Sequence, residues 1–296
     1  MNVRDKVVVV TGAGNGIGRE LALLLLAKGA CVAGVDLNPV TLEETSRLAS
    51  GSEGDFAPFV VDVTNRIAVM ALPEKVVTRF GGVDVLINNA GIIHSFTRLN
   101  DLDYPAIERV INVNLFGTVY MTKAFLPHLL TRPQAHIANL SSMGGFVPVP
   151  GQTMYCAAKA AVKLMSEGLA SELRGTNVRV TVVFPGAIAT NITANSGVDM
   201  RIRIEASDAA KGKMMGLSPA RAAEIIVDGI ERNVRRLFVG KDSTLMDKLY
   251  RLSPAFTARM MAKMMGALLA GDGVPKDAGI KHQMTVPQLR DNDPSE

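Results

Sequence analysis

The chain has 296 residues, of which 48% are hydrophobic, so it can form one large domain or two small ones with a sizeable core. Its 32 basic and 28 acidic residues give a formal net charge of only +4, which argues against a general nucleic-acid-binding surface. Its two cysteines and four histidines lack the spacing of a disulfide framework or a metal site, so neither a metal nor a nucleic-acid partner is expected.

The N-terminal segment lacks the features of a signal peptide, because a polar stretch leads directly into a short predicted strand. The apolar run 21–27 is too short to span a bilayer, which needs about 20 residues. We therefore expect a reducing, cytoplasmic location.

The first predicted strand, 7–10, runs into a glycine-rich turn with the pattern Thr-Gly-x-x-x-Gly-x-Gly, and a helix is predicted over 19–29. This order predicts a phosphate site, because glycine lets the backbone approach a ligand and a helix N-terminus offers N–H groups. The additional Gly14 departs from the G-x-G-x-x-G spacing, so an ordinary turn remains the alternative.

The second predicted strand, 30–35, ends at Asp36. A carboxylate about 20 residues after such a turn can hydrogen-bond the ribose hydroxyls of NAD, and it would repel a 2′-phosphate. Neither Asn15 nor Leu37 provides the cation that a 2′-phosphate needs, so NAD is preferred over NADP. The alternative is an aspartate that caps a loop.

Two more predicted strands, 59–61 and 83–87, lead into Asp62-Val63-Thr64 and Asn88-Asn89-Ala90-Gly91. A helical stretch, 65–80, lies between them. Strands that alternate with helices in this way predict a doubly wound, mainly parallel α/β sheet.

The central segment, 142–159, contains a Tyr-x-x-x-Lys pair. Tyr155 and Lys159 are four residues apart and so share one face of a helix. A cation beside a phenol lowers the phenol pKa from about 10 towards neutrality, as acid–base catalysis requires. Ser142 lies at the end of a strand-like run that is followed by a loop, where catalytic groups tend to lie. Taken alone, such a pair is more typical of an ordinary surface helix.

Residues 191–218 show weak periodicity, and Met200, Met214 and Met215 are interpreted either as an adaptable apolar lid or as ordinary packing of a helical insertion. Ser218 and Pro219 predict a helix start, with helix to residue 233 and a strand over 237–239.

Beyond Gly240, helices are predicted over 246–252 and from residue 253 onwards. Apolar residues recur there at four-residue steps, in the two series Phe256, Met260, Met264, Leu268 and Met261, Met265, Leu269. With Arg259 and Lys263 on its flank, this broad face predicts packing on its own domain or a second copy, or peripheral contact with an anionic membrane through 255–270. The segment 271–296 is predicted to be a mobile tail.

Together, these motifs resemble those of the classical short-chain dehydrogenase/reductase family. They follow the family's order over about 6–190: the turn 11–18, Asp62-Val63, Asn88-Asn89-Ala90-Gly91, Asn112-Val113-Asn114, Ser141-Ser142, Tyr155-x-x-x-Lys159 and Pro185-Gly186-x-Ile188-x-Thr190. The resemblance implies a three-layer Rossmann fold with a seven-stranded, mainly parallel sheet. It implies a catalytic domain over 1–240 that includes the substrate loop 191–218, and the helical extension 241–270 is an addition to it.

The resemblance also implies four catalytic positions. Tyr155 exchanges a proton with the substrate oxygen, Lys159 lowers the Tyr155 pKa and holds the nicotinamide ribose, Ser142 hydrogen-bonds the substrate oxygen, and Asn114 positions a water of the proton relay. Ser142 is chosen over Ser141 because thirteen residues separate it from the tyrosine, as is usual in the family.

The implied cofactor contacts follow the strands. The pyrophosphate would be held by Gly12, Asn15, Gly16, Ile17 and Gly18, and the adenosine ribose and adenine by Asp36, Asp62 and Val63. Asn89, Ala90 and Gly91 would run along the cofactor. Its nicotinamide end would be held by Tyr155, Lys159, Pro185, Gly186, Ile188 and Thr190.

Two departures from the family pattern stand out. Ala158 replaces the serine that usually precedes the lysine, and 236–242 lacks the paired glycines that usually follow the last strand. The second departure weakens the expectation of the common tetramer, and a homodimer or homotetramer is expected.

The sequence therefore predicts an NAD-dependent oxidoreductase that interconverts a secondary alcohol and a ketone on a small, apolar, lipid- or steroid-like substrate. One alternative is a 3-oxoacyl thioester reductase of the fatty-acid type, which usually prefers NADP. Another is a non-catalytic NAD-sensing protein, which typically lacks the tyrosine or the lysine.

Overall fold

A computed structural model of the protein describes residues 1–190, 192, 196 and 216–269, with only the backbone of 267–269. The methionines of the predicted lid, Met200, Met214 and Met215, and the predicted tail 271–296 lie outside the described residues. So do the side chains of Leu268 and Leu269.

Short β-branched runs form the strands of one sheet. These strands are β1 (Val7–Thr11), β2 (Cys31–Asp36), β3 (Phe56–Val60), β4 (Val85–Asn88), β5 (Ala135–Leu140), β6 (Val178–Pro185) and β7 (Arg236–Val239). Among the described residues they make a seven-stranded sheet in the order β3-β2-β1-β4-β5-β6-β7, and every neighbouring pair is parallel. The predicted doubly wound topology is confirmed, with a switch point between β1 and β4 where ligands bind in such sheets.

Helices cover both faces of the sheet and so complete three layers. They are α1 (Gly16–Ala27), α2 (Pro39–Ala49), α3 (Arg66–Met70), α4 (Leu72–Phe80), α5 (Tyr104–Ile111), α6 (Gly117–Leu130), α7 (Thr153–Glu172), α8 (Pro219–Glu231), α9 (Lys241–Leu252) and α10 (Pro254–Leu269).

Each face of the sheet has its own apolar core. On one face, Leu21 and Leu25 of α1 join a cluster with Ile226 and Ile230 of α8. On the other face, the cluster includes Phe125 of α6 together with residues of α3 and α4. Because fully burying one such side chain stabilises the fold by about 1.5–3 kcal/mol, the sheet that carries the site is firmly held between these layers.

Several predicted boundaries differ from the observed ones. The single helix expected over 65–80 is two helices, α3 and α4, because Pro73 lacks an N–H and is accommodated in the first turn of a new helix. Helix α9 begins at Lys241, earlier than expected, directly after Gly240. The predicted start of α8 is confirmed, since the Ser218 hydroxyl accepts a hydrogen bond from the Arg221 N–H over 3.2 Å.

The helical extension after β7 begins with a backbone conformation that favours glycine, since Gly240 has φ +108°. Helix α10 packs on α9, and its residues Thr257 and Met261 are buried. Among the described residues, no helix has the length and apolar character that crossing a membrane requires.

Candidate active site

The carboxyl ends of β1, β2, β4, β5 and β6 surround a cavity of about 530 Å³, within the range of about 300–1,000 Å³ that is usual for small-molecule sites. All but one of the predicted site residues line it: Gly12, Asn15, Gly16, Ile17, Asp36, Asp62, Val63, Asn89, Ala90, Gly91, Asn114, Ser142, Tyr155, Lys159, Pro185, Gly186, Ile188 and Thr190. The exception is Gly18, which is buried in α1, where a Cβ would run into the backbone of Gly12.

The turn after β1 needs glycine for two reasons. Gly12 and Gly16 have φ of +68° and +54°, which most side chains disfavour. A Cβ at Gly12 would also lie 2.8 Å from the Asn89 Nδ2 atom. Helix α1 begins at Gly16, so the backbone N–H groups of its first turn lie at the edge of the cavity.

The additional Gly14 is explained by Asp36. The Gly14 N–H donates to Asp36 Oδ2 over 2.8 Å, and the other carboxylate oxygen accepts from the Asn38 N–H over 2.9 Å. A Cβ at Gly14 would lie 2.8 Å from Asp36 Oδ2 and would also run into the Thr41 hydroxyl. The glycine that departs from the expected spacing therefore allows the carboxylate to close the turn.

Arg19, which no motif marks, contacts the same turn. Its guanidinium donates to the Gly14 carbonyl over 2.6 Å, to Glu44 Oε2 over 2.8 Å, and to the Thr45 hydroxyl and the Thr41 carbonyl over 3.1 and 3.3 Å. Its partners are thus the turn backbone and groups on α2, and its side chain does not line the cavity.

The turns after β3 and β4 are fixed by short-range polar contacts. Asp62 Oδ1 accepts from the N–H and the hydroxyl of Thr64, both over 2.8 Å, which shapes the turn that presents Val63 to the cavity. The Thr11 hydroxyl oxygen accepts from the N–H groups of Asn89 and Ala90, both over 3.0 Å. The end of β1 thereby holds the Asn-Asn-Ala-Gly segment in place.

Gly91 allows two functional side chains to approach the backbone. A Cβ at this position would lie 2.8 Å from Asn114 Oδ1 and 3.2 Å from Lys159 Nζ. Asn114 lies in a π-helical turn, Asn112–Phe116, between α5 and α6, and such turns often occur at functional sites. Its amide nitrogen donates to the carbonyls of Ile92 and Val110 over 2.8 and 2.9 Å, so the side chain is buried and fixed.

Helix α7 places Tyr155 and Lys159 on one face, as the four-residue spacing predicts. Lys159 Nζ lies 5.9 Å from the centre of the Tyr155 ring and donates to the Leu140 carbonyl at the end of β5 over 3.0 Å. The Ser141 hydroxyl donates to the Lys159 carbonyl over 2.7 Å and so holds the helix. Ser142 acts to lower the pKa of the Tyr155 phenol, and its hydroxyl oxygen accepts a hydrogen bond from the Gly144 N–H over 3.0 Å.

Burial dominates the ionisation of the pair. It raises the pKa of Tyr155 to about 12, against the lowering effect of the Ser142 hydrogen bond, and it lowers the pKa of Lys159 to about 8. The direction for Tyr155 is opposite to the one expected from the Tyr-x-x-x-Lys spacing. The ammonium is directed at the Leu140 carbonyl, and desolvation of the phenolate is the larger effect.

The segment after β6 passes over the glycine turn. The Ala189 N–H donates to the Leu217 carbonyl over 3.0 Å, which fixes the chain between Ile188 and Thr190. A Cβ at Gly16 would lie 3.6 Å from the Thr190 methyl carbon. These contacts place the end of the Pro-Gly-x-Ile-x-Thr motif beside the glycine turn, and Pro185, Gly186, Ile188 and Thr190 line the cavity.

Two buried polar residues near the site carry no sequence motif. Gln152 immediately precedes α7, and its amide nitrogen donates to the His94 backbone carbonyl over 2.6 Å. Within the described part of the chain, His94 Nε2 and Gln152 Oε1 have no hydrogen-bond partner. The Gln152 side chain meets the His94 backbone only in the fold, since 58 positions separate the two residues, so no local sequence pattern could reveal the pair.

Comparison with known proteins identifies the family. Residues 6–201 match the family model described as short chain dehydrogenase. The chain is 39% identical over 264 residues to the protein SadH of Mycobacterium tuberculosis, covering 87% of this chain and 94% of that one. It is 40% identical over 195 residues to the 3-oxoacyl-[acyl-carrier-protein] reductase FabG of Thermotoga maritima, covering 65% and 78%.

The fold is also similar to that of a solved structure. The crystal structure of carveol dehydrogenase from Mycobacterium avium in complex with NAD matches with a TM-score of 0.75 and 25% identity, covering 82% of this chain and 99% of that one. Taken together with the family match over the whole catalytic core, this makes the chain an oxidoreductase of the short-chain dehydrogenase/reductase family, whose members act on CH–OH groups.

Proposed function

We propose that the protein is an NAD-dependent oxidoreductase that interconverts a secondary alcohol and a ketone on an apolar substrate. The observation that carries the proposal is the convergence of Ser142, Tyr155, Lys159 and Asp36 on one cavity with the glycine turn. The family match supports the reaction class, and the carveol dehydrogenase complex with NAD supports the cofactor.

The residues of the cavity fit a dinucleotide. The glycine turn and the first turn of α1 would hold its pyrophosphate, because positive φ and the absence of a Cβ leave room for close backbone approach. Asp36 would accept hydrogen bonds from the adenosine ribose, and Lys159 would hold the nicotinamide ribose. When bound, NAD supplies the hydride acceptor for alcohol oxidation.

The side chains divide the proton chemistry. The Ser142 hydroxyl would donate to the substrate oxygen and also contacts Tyr155, so it fixes the substrate oxygen beside the phenol. Because the Tyr155 pKa is about 12, the phenol is protonated at neutral pH and ready to protonate a ketone oxygen. Alcohol oxidation would need the phenolate, whose proton would leave past Lys159 and Asn114.

The environment of Asp36 supports NAD over NADP. Its carboxylate lines the cavity, whereas Arg19 is held by Glu44 and the turn backbone. We expect kcat/KM with NAD to exceed that with NADP by about 100-fold, and Asp36→Asn to narrow the gap by about tenfold, which is 1.4 kcal/mol. Steady-state kinetics with both cofactors measures this, and Asp55→Asn is a control on an exposed carboxylate. A preference of the unchanged protein for NADP would overturn the cofactor assignment.

Several apolar side chains line the cavity together with the catalytic residues, among them Ile92, Ile93, Val113, Ile188 and Ile192. This lining supports an apolar substrate. A panel of small polyols and of fatty and steroid secondary alcohols tests it, and turnover of the polyols alone would reject it.

The alternative within the family is a 3-oxoacyl thioester reductase, favoured by the 40% identity to FabG. Residues after Gly240 make up about a fifth of the chain. The match to SadH covers 87% of the chain and therefore includes part of the extension, whereas the match to FabG covers 65%. This difference in coverage favours the alcohol–ketone oxidoreductase over the thioester reductase, and an assay of a 3-oxoacyl thioester with NADPH separates these two activities.

The non-catalytic alternative is opposed by the presence of both Tyr155 and Lys159 in the cavity. Tyr155→Phe is expected to lower turnover by about 100-fold or more, because the acid–base group is lost, while NADH affinity is unchanged. Turnover and NADH titration are measured on the same preparation. Activity that survives the substitution would show that another group moves the proton.

A further inference from the structure

The two apolar series predicted for α10 face in different directions. Met261 is 4% exposed and Thr257 is fully buried, so this side of the helix faces the protein interior, and α10 is in contact with α9. Phe256 and Met264 are 57% and 62% exposed. The second side therefore presents large apolar side chains to the surface, and it is not explained by packing within the described residues.

Cations accompany these side chains. Arg259 and Lys263 are exposed on the same helix. Arg259 follows Phe256 by three positions and Lys263 follows Arg259 by four, so the three side chains lie on one face. The α10 sequence, Pro254–Leu269, contains no acidic residue. We call Phe256, Arg259, Met260, Lys263 and Met264 the outer face of α10.

The preceding helix, α9, also exposes an apolar side chain and basic side chains. Leu252, at the end of α9, is 84% exposed, and Lys248 and Arg251 are exposed on the same helix. The nearest carboxylate in sequence, Asp247, is buried and forms ion pairs with Arg236 and Arg251 over 3.1 and 3.0 Å. The acidic group is thus directed inward, and the exposed charge of the extension is positive.

The start of the extension is fixed at the rim of the active site. Asp242 Oδ2 accepts from the Ala187 N–H over 2.7 Å, and the Ser243 hydroxyl donates to the Phe184 carbonyl over 2.8 Å. Their neighbours Pro185 and Gly186 line the cavity. Helix α9, of 12 residues, extends about 18 Å from this point before α10 begins.

We propose that the outer face of α10 binds the surface of membranes that contain anionic lipids. Phe256 and Met264 would enter the boundary between headgroups and acyl chains, and Arg259 and Lys263 would contact the lipid phosphates and carboxylates. The charge argues for this partner over a second copy of the chain, because two outer faces packed together would bring like charges into contact. The proposal concerns binding and stands whether or not the substrate is a lipid.

The test is sedimentation of the full chain with phosphatidylcholine vesicles that contain or lack phosphatidylserine. Binding is expected to be about tenfold stronger with phosphatidylserine and to be lost near 1 M salt, where the screening length falls to about 3 Å. Equal binding to both vesicles, or binding to neither, overturns the proposal.

Two double variants separate the contribution of the apolar side chains to vesicle binding from that of the basic side chains. Phe256→Ser with Met264→Ser removes the apolar contact, and Arg259→Gln with Lys263→Gln removes the charge. Each pair is expected to lower binding to phosphatidylserine vesicles by about tenfold. The matched controls are Val40→Ser with Ile67→Ser, whose native side chains are 76% and 81% exposed on other helices, and Lys75→Gln with Lys123→Gln.

Binding that falls equally in the controls would overturn the proposal. Light scattering of the Phe256→Ser, Met264→Ser variant decides the competing occupant, because loss of an oligomer in solution without loss of vesicle binding would assign the outer face to a second copy. Circular dichroism of each variant shows that a loss of binding is not a loss of folding.

Discussion

At the scale of single residues, the ionisation of Tyr155 is set by two opposing effects. Burial raises the pKa of the phenol to about 12, and the hydrogen bond with Ser142 lowers it. Ser142 therefore has two tasks, because the same hydroxyl that would hold the substrate oxygen also stabilises the phenolate. The two tasks can be separated by the pH dependence of the reaction.

Ser142→Ala is expected to move the pH profile of alcohol oxidation. Oxidation needs the phenolate, so kcat rises with pH, and loss of the hydrogen bond raises the Tyr155 pKa and shifts the rising limb to higher pH. We also expect kcat to fall by about 100-fold because the substrate oxygen loses a donor. Ser171→Ala is the control, since that hydroxyl bonds the Glu167 carbonyl at an exposed position of α7, away from the cavity lining. An unmoved limb in Ser142→Ala would show that the serine acts on the substrate alone.

At the scale of secondary-structure elements, His136 joins β5 to β6. The Thr181 hydroxyl donates to the Val234 carbonyl over 2.7 Å, so His136 Nε2 donates its proton to the Thr181 oxygen over 2.8 Å. The ring is fully buried, and burial lowers its pKa from 6.5 to about 4. The ring is therefore neutral, and its hydrogen bond to Thr181 links the two strands.

This low pKa predicts a stability that depends on pH. The unfolded chain binds a proton near pH 6.5 and the folded chain only near pH 4, so the contribution is complete above pH 6.5 and is lost as the pH falls towards 4. From pH 7.5 to 5, the free energy of unfolding is expected to fall by about 2 kcal/mol through this residue. Urea denaturation at both pH values measures it. His136→Gln should remove that part of the difference and His128→Gln should retain it; equal differences in both variants would contradict the assignment.

The sequence predicted those elements that short-range patterns determine. β-branched runs predicted the first strands, and Ser218-Pro219 predicted the start of α8. All but one of the predicted site residues line the cavity, because most of them follow a strand end that the parallel sheet brings to one edge, whereas other lining residues, such as Val61, Ile93 and Ile192, belong to no motif. The break at Pro73 was missed because the helical periodicity continues through it.

Contacts between distant segments were not predictable in the same way. The role of Gly14 depends on a carboxylate 22 positions later, and the pair His94 and Gln152 is made only by the fold. The predicted direction of the Tyr155 pKa shift was wrong. Sequence spacing indicates which side chains are neighbours, whereas the burial of the phenol depends on all the residues around it.

At the scale of the whole molecule, the departure from the family pattern after β7 is a helical hairpin fixed to the catalytic core. The family resemblance predicts a homodimer or homotetramer, and exposed aromatic side chains outside the extension, Tyr104 at 81% and Phe116 at 41%, are consistent with assembly. Light scattering coupled to gel filtration is expected to give two or four times the chain mass of 31.5 kDa. A monomer at micromolar concentration would contradict this prediction.

If Asp36 selects NAD, as we propose, its bond with the Gly14 N–H ties the choice of nucleotide to the shape of the glycine turn. An engineer who places arginine or lysine at position 36 to recruit NADP would also remove the acceptor that closes the loop. Retargeting the enzyme would therefore require a second substitution that supplies a new acceptor for Gly14, and a carboxamide at position 36 is the conservative intermediate. On the proposed assignment of Asp36, coenzyme selectivity would be a property of two segments that must change together.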